Sequence, residues 1–243
     1  MKKMRLSVLL VLIAFGLTVF ASGEKSIIYK AYLESDMKTW RNVIDKMNKE
    51  QGKSNERNME LLNYEYGYIG WCLGMNNDAE AEEIIERSEK RMDSMESIHY
   101  KPSIISAYKS AFYGFKIALN KSKAPFLGGK SIDEAKKSTQ LDPENYFGYI
   151  QLGNIDYFRP SIFGGSKKRA MENYLKAEKQ MILTANYQND WNYLSLLTQI
   201  AQGFEATKDF KNAENYYKKI LSIAPNFGWV KNELYPKFIK KTK

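Results

Sequence analysis

The chain has 243 residues, a formal net charge of +9, one cysteine and one histidine. One cysteine excludes an intramolecular disulfide, and one histidine without cysteine or histidine neighbours excludes the usual zinc-site signatures. The basic excess is interleaved with glutamate, as in EAEEIIERSEKR, and builds no extended field, so no nucleic-acid partner is expected.

Residues 1–21 read as a secretory leader: Lys2, Lys3 and Arg5 precede an apolar run from Leu6 to Phe20, and small Val19 and Ala21 precede the cleavage point. Cleavage after Gly23 and retention as an anchor are the alternatives, although the run is short for a spanning helix. Removing the leader lowers the charge to +6 over roughly 222 residues and leaves no stable transmembrane segment. The expected location is the periplasm or the exterior. An exported chain without disulfides fits a cell-envelope protein better than a small secreted one.

Beyond the leader, six prolines are spread over long stretches of 3.6-residue periodicity with no convincing strand, which predicts an all-α protein. Residues 22–55, with SIIYKAYLESDMKTWRNVIDKMNKE, read as one or two amphipathic helices covering the start of a helical body. Residues 56–226 read as successive helix pairs. The first pair has Ile69 and Gly70 side by side, then Leu73, and Ala81, Ile85 and Ser88 on its second helix. The next, roughly Lys101 to Asn120 and Ser131 to Leu141, is joined by APFLGG, which predicts a loop.

That stretch continues as GGKS and ends like a phosphate-binding loop, but Ala124 stands where the first glycine is required and the segment before it is helical. A second Gly-Gly, in RPSIFGGSKK, follows thirty-six residues later without the lysine directly after it. Both read as structural turns rather than nucleotide sites. A third pair begins at Tyr146 with Tyr149, Leu152, Gly153 and Tyr157, followed by Ala170, Tyr174 and Ala177. The clearest pair starts at Leu194, with Leu197, Ile200, Ala201 and Phe204 on one helix and Ala213, Tyr217, Ile220 and Pro225 on the next. Asn145 and Asp209 are the expected helix caps. Residues 227–243 predict a final charged helix.

In this series of small, aromatic and alanine positions the chain resembles the tetratricopeptide repeat family, and its paired Gly-Gly turns are similar to those of periplasmic tetratricopeptide proteins of bacterial solute uptake. The resemblance implies an α-solenoid of stacked antiparallel helix pairs between capping helices. It also implies that the first helix of each pair lines a concave groove. Carried onto this sequence, the lining residues are Tyr64 and Trp71, then Phe147, Ile150, Asn154 and Tyr157, then Ser195, Thr198, Gln202 and Glu205. The first two sets are rich in rings and the last is polar without a basic residue, which argues against a clamp for a peptide carboxylate. Such a groove suits an extended peptide, a glycan or a small apolar ligand, with an envelope protein or extended peptide the expected partner. The alternative is that the rings fill the interior.

No catalytic residues, cofactor or metal are expected. His99 sits at a helix junction, Cys72 lies among apolar neighbours, no GxSxG surrounds a serine, and NND at 76–78 lacks the pattern of a calcium loop. The sequence reads as a non-catalytic binding or scaffold protein of the envelope. A carboxylate-dependent hydrolase of envelope glycans or peptides, or a purely structural array, remain the alternatives.

Overall fold

The computed structural model describes residues 23–185 and 187–242. The expected leader lies outside the described residues. Among the described residues there are eleven α-helices and no strand: α1 Gly23–Glu34, α2 Met37–Lys49, α3 Asn55–Gly74, α4 Asp78–Ser97, α5 Pro102–Leu119, α6 Ala124–Leu141, α7 Tyr146–Phe158, α8 Lys167–Thr184, α9 Trp191–Ala206, α10 Phe210–Ile223 and α11 Tyr235–Thr242. Short 3-10 turns at Lys121–Lys123 and Ser161–Phe163 precede α6 and α8, and a π-helical turn at Val230–Leu234 leads into α11.

Local chemistry sets the boundaries. Ser54, Asn145, Ser166, Asp190 and Asp209 each accept a backbone N–H of the first helical turn, satisfying a donor that the helix itself cannot. The helices α6 and α10 stop two residues before Pro143 and Pro225. Before α4, Asn76 takes a left-handed conformation at φ 56°, and Asn77 Nδ2 donates to Glu80.

Consecutive helices pack against each other in opposite directions. Side-chain pairs fix the register: Ser110 with Ser131 and Ser103 with the Ser138 carbonyl join α5 to α6, and Tyr174 with Asn154 joins α7 to α8. Buried alanines at 81, 135, 170, 177 and 213 allow the close approach. Because the odd-numbered helices are parallel to one another, the turns after α3, α5, α7 and α9 lie toward one end of the body.

Two expectations need correction. The APFLGG stretch is not a loop, since Gly128 and Gly129 lie inside α6. The pairs are also irregular: α7 has 13 residues against 20 in α3, and α1 leaves the row of neighbours to touch α9. There Tyr32 meets Trp191 at 5.9 Å and Phe227 at 4.9 Å, so the two ends of the described chain enclose one interior.

Candidate functional site

The inner face is built mainly by the odd-numbered helices. At its filled end, rings from six elements interlock. Trp40 and Trp191 meet edge to face at 5.1 Å, and Tyr66 contacts Tyr108, Phe115 and Phe147 at 5.2–5.9 Å. The Trp40 indole donates to the Tyr64 carbonyl at 3.0 Å. Gly67 stands at the one place where α3 could not carry a side chain, because a Cβ there would lie 2.6 Å from the Trp191 ring and 2.8 Å from Trp40. Burial raises the Tyr32, Tyr66 and Tyr108 hydroxyls above their ordinary pKa, so these rings stay neutral.

Four of the residues expected to line a groove are part of this interior: Tyr64, Phe147, Ile150 and Thr198 are buried. Thr198 Oγ1 donates to the Leu194 carbonyl of its own helix. Trp71, Asn154, Tyr157, Ser195, Gln202 and Glu205 keep partial exposure. Ser195 stands near the Tyr32 hydroxyl, at the α1 crossing.

At the open end, the C-terminal turns of α3, α7 and α9 carry Trp71, Tyr157 and Glu205. Trp71 leans on Tyr68 at 5.3 Å. Tyr157 has Lys167 over its ring at 3.3 Å and Tyr174 at 6.4 Å. A polar chain runs between them and the interior: Tyr174 donates to Asn154 at 2.8 Å, Asn154 to Gln151 at 3.2 Å, and Gln151 to the Tyr66 hydroxyl at 3.5 Å. Glu205 accepts from Tyr217 at 3.3 Å and pairs with Lys241 at 2.9 Å. Burial first, then the Glu205 charge, raises the Tyr157 hydroxyl above its ordinary pKa, so Tyr157 presents a neutral phenol.

Sequence reasoning missed Tyr32, Tyr66, Tyr108, Phe115 and Trp191. The visible signal was Gly67. It occupies a lining position in its helix pair, and a glycine among so many rings marks a place filled from elsewhere.

The other candidate groups have structural roles. Cys72 is buried, and burial together with the Glu80 carboxylate pushes its thiol up to about 12, which removes the thiolate at neutral pH. The buried Glu65 is held by Arg87 at 2.8 Å and Ser88 at 2.8 Å, Asp156 by Arg169 at 2.7 Å, and Glu178 by Lys219 and Tyr216. These carboxylates are occupied in ion pairs. His99 is exposed in the α4–α5 turn, at the opposite end from Tyr157. A shallow cleft of about 340 Å³ lies outside the inner face, between α8 and α10, over Leu175, Ile182 and Leu183.

No family model matches the chain, and no curated protein matches it in sequence. Among solved structures it is similar to the HusA haemophore from Porphyromonas gingivalis, with 15% identity and a TM-score of 0.60 over 76% of this chain and 95% of that one. At this identity the likeness establishes a shared fold. It corrects the tetratricopeptide identification and the associated uptake-protein similarity: the helical architecture is of the haemophore type. The small-residue spacing is a common solution to packing antiparallel helices, so it appeared as repeat sequence where the structure builds unequal helices around a closed ring cluster. Among the described residues, no helix is long and apolar enough to cross a membrane.

Proposed function

We propose that the chain is a non-catalytic binding protein of the bacterial envelope, exported with residues 1–21 removed, that carries a bulky, planar and largely apolar ligand of the haem class. The binding surface is the open end of the inner face, centred on Trp71, Asn154, Tyr157, Gln202 and Glu205. In this reading residues 22–55 and 227–243 cover the ends of a helical body spanning 56–226.

The observation that carries the reading is the gradient along the inner face: rings are enclosed at one end and remain partly exposed, beside amide, phenol and carboxylate groups, at the other. Large rings with a polar edge bury area at low entropic cost, and amides can meet the ligand's polar rim. The fold shared with a haemophore supplies the ligand class.

The chemistry of the open end also says how such a ligand is held. The single histidine is at the opposite end, so the proposed mode of capture is ring contact and edge hydrogen bonds rather than a histidine–iron bond. Absorbance titration of the purified chain with haem and with iron-free protoporphyrin tests this. The expected result is saturable binding of both, with dissociation constants within about threefold of each other, a difference under about 0.7 kcal/mol. Failure of both to bind contradicts the reading and leaves an extended peptide as the competing occupant. Binding of haem alone contradicts the mode of capture.

A further inference from the structure

The α5–α6 and α7–α8 turns form a feature that the carrier reading does not use. Tyr108 of α5 and Phe147 of α7 meet at 4.6 Å, and each helix runs eleven residues further, to Leu119 and Phe158, so the two turns end level with one another. Both project apolar side chains into solvent. Phe126 is 76% exposed, Phe158 76%, Ile162 84% and Phe163 70%. Isolated exposed apolar residues are ordinary, but four large ones on two adjacent turns make a patch that calls for a partner.

The second turn is rigidly built. Gly164 has φ 88°, and its carbonyl accepts from Arg159 and Arg169, both of which also bind Asp156. Gly165 N–H donates to the Pro160 carbonyl at 3.1 Å, and Ser166 N–H to the Asp156 carbonyl at 2.9 Å. Gly165 admits no side chain, since a Cβ would fall 1.8 Å from the Arg159 carbonyl oxygen. These six hydrogen bonds hold Ile162 and Phe163 outward on a 3-10 turn.

Charge identifies the partner. Between Leu119 and Asp133 the chain has Lys121, Lys123 and Lys130 and no acid, and between Asp156 and Glu172 it has Arg159, Lys167, Lys168 and Arg169 and no acid. Lys121, Lys123, Lys130 and Lys168 are exposed and, among the described residues, form no ion pair. The α3–α4 turn, by contrast, carries Asp78, Glu80, Glu82 and Glu83. Apolar tips surrounded by unpaired lysines match the two layers of an anionic lipid surface, with acyl chains below and phosphates above.

We propose that these two turns are a membrane-docking face, with Phe126, Phe158, Ile162 and Phe163 entering the interfacial layer and Lys121, Lys123, Lys130 and Lys168 meeting anionic headgroups. The face adjoins the ligand surface at one edge, where Phe158 touches Tyr157 at 5.0 Å, but Ile162, Phe163 and the four lysines are not part of that surface, so docking can be weakened at those residues without removing a ligand contact.

Co-sedimentation of the chain from Ser22 onward with phosphatidylcholine vesicles containing about one-third phosphatidylglycerol tests the proposal, against phosphatidylcholine vesicles alone. The wild type binds the anionic vesicles, and the binding weakens as salt rises from about 0.05 to about 0.5 M. Ile162→Ser with Phe163→Ser lowers partitioning by about thirtyfold or more, while Lys121→Gln, Lys123→Gln and Lys168→Gln together lower it by about fivefold per lysine. Both variants keep the wild-type helical circular dichroism and the same porphyrin titration. Absence of wild-type binding to anionic vesicles overturns the proposal, as does binding that neither variant weakens. Concentration-dependent dimerisation that the serine variant abolishes, without any vesicle binding, also overturns it and makes the face a contact between two copies of the chain.

Discussion

Trp191 and Tyr157 are both aromatic residues on odd-numbered helices that face the interior, yet their surroundings differ completely. Trp191, at the start of α9, is enclosed by Trp40, Tyr32 and the bare backbone of Gly67. Tyr157, near the end of α7, has a lysine over one side of its ring, a tyrosine beyond it and solvent at its edge. The difference comes from the α1–α2 hairpin, which supplies Tyr32 and Trp40 to one end of the inner face and not to the other. Position on a helix directs a ring inward; whether the ring becomes core or binding surface depends on what a distant segment lays over it.

Replacing the enclosed ring should have the largest effect. Trp191→Ala removes contacts with three elements and is expected to destabilise the fold by about 3–5 kcal/mol in urea unfolding. A loss below about 1 kcal/mol would show that this end is not packed as described. The two Gly-Gly segments sharpen the same lesson at smaller scale. Gly165→Ala forces a methyl group against the Arg159 carbonyl and should lose about 1–3 kcal/mol. Gly129→Ala meets nothing within 4 Å on the body of α6 and should gain about 0.5–1 kcal/mol, because alanine is the better helix former. Equal effects at the two sites would contradict the assignment of one to a helix and the other to a tight turn.

Much of the fold was legible in the sequence, for identifiable reasons. Periodicity placed the helices, Asn145 and Asp209 announced their caps, and alanines at 81, 170, 177 and 213 marked where helices meet. The Gly-Gly pairs were not distinguishable, since a glycine inside α6 and one in a turn differ only in what surrounds them. RPSIFGGSK has Arg159 and Arg169 converging on Asp156 to make its turn, and APFLGGKS has no such clamp, so helix propagation passes through it. The site was half legible for a related reason. Asn154, Tyr157 and Glu205 keep partial exposure, whereas Tyr64, Phe147, Ile150 and Thr198 are covered by contacts between segments far apart in sequence. Local periodicity carries no information about the crossing of α1 to α9. The exposed tip at Ile162 and Phe163 was equally hidden, because an apolar residue near a proline reads as buried until the turn is seen to point outward.

The central claim is that the inner face divides into a core end and a binding end, and Tyr157→Ala tests it most directly when thermal stability and porphyrin affinity are measured on the same sample. The account predicts a loss of affinity of about thirtyfold, near 2 kcal/mol, with a melting temperature within a few degrees of the wild type. Large destabilisation, with affinity lost only in proportion to the unfolded fraction, would make Tyr157 a core residue like Trp191 and contradict the division.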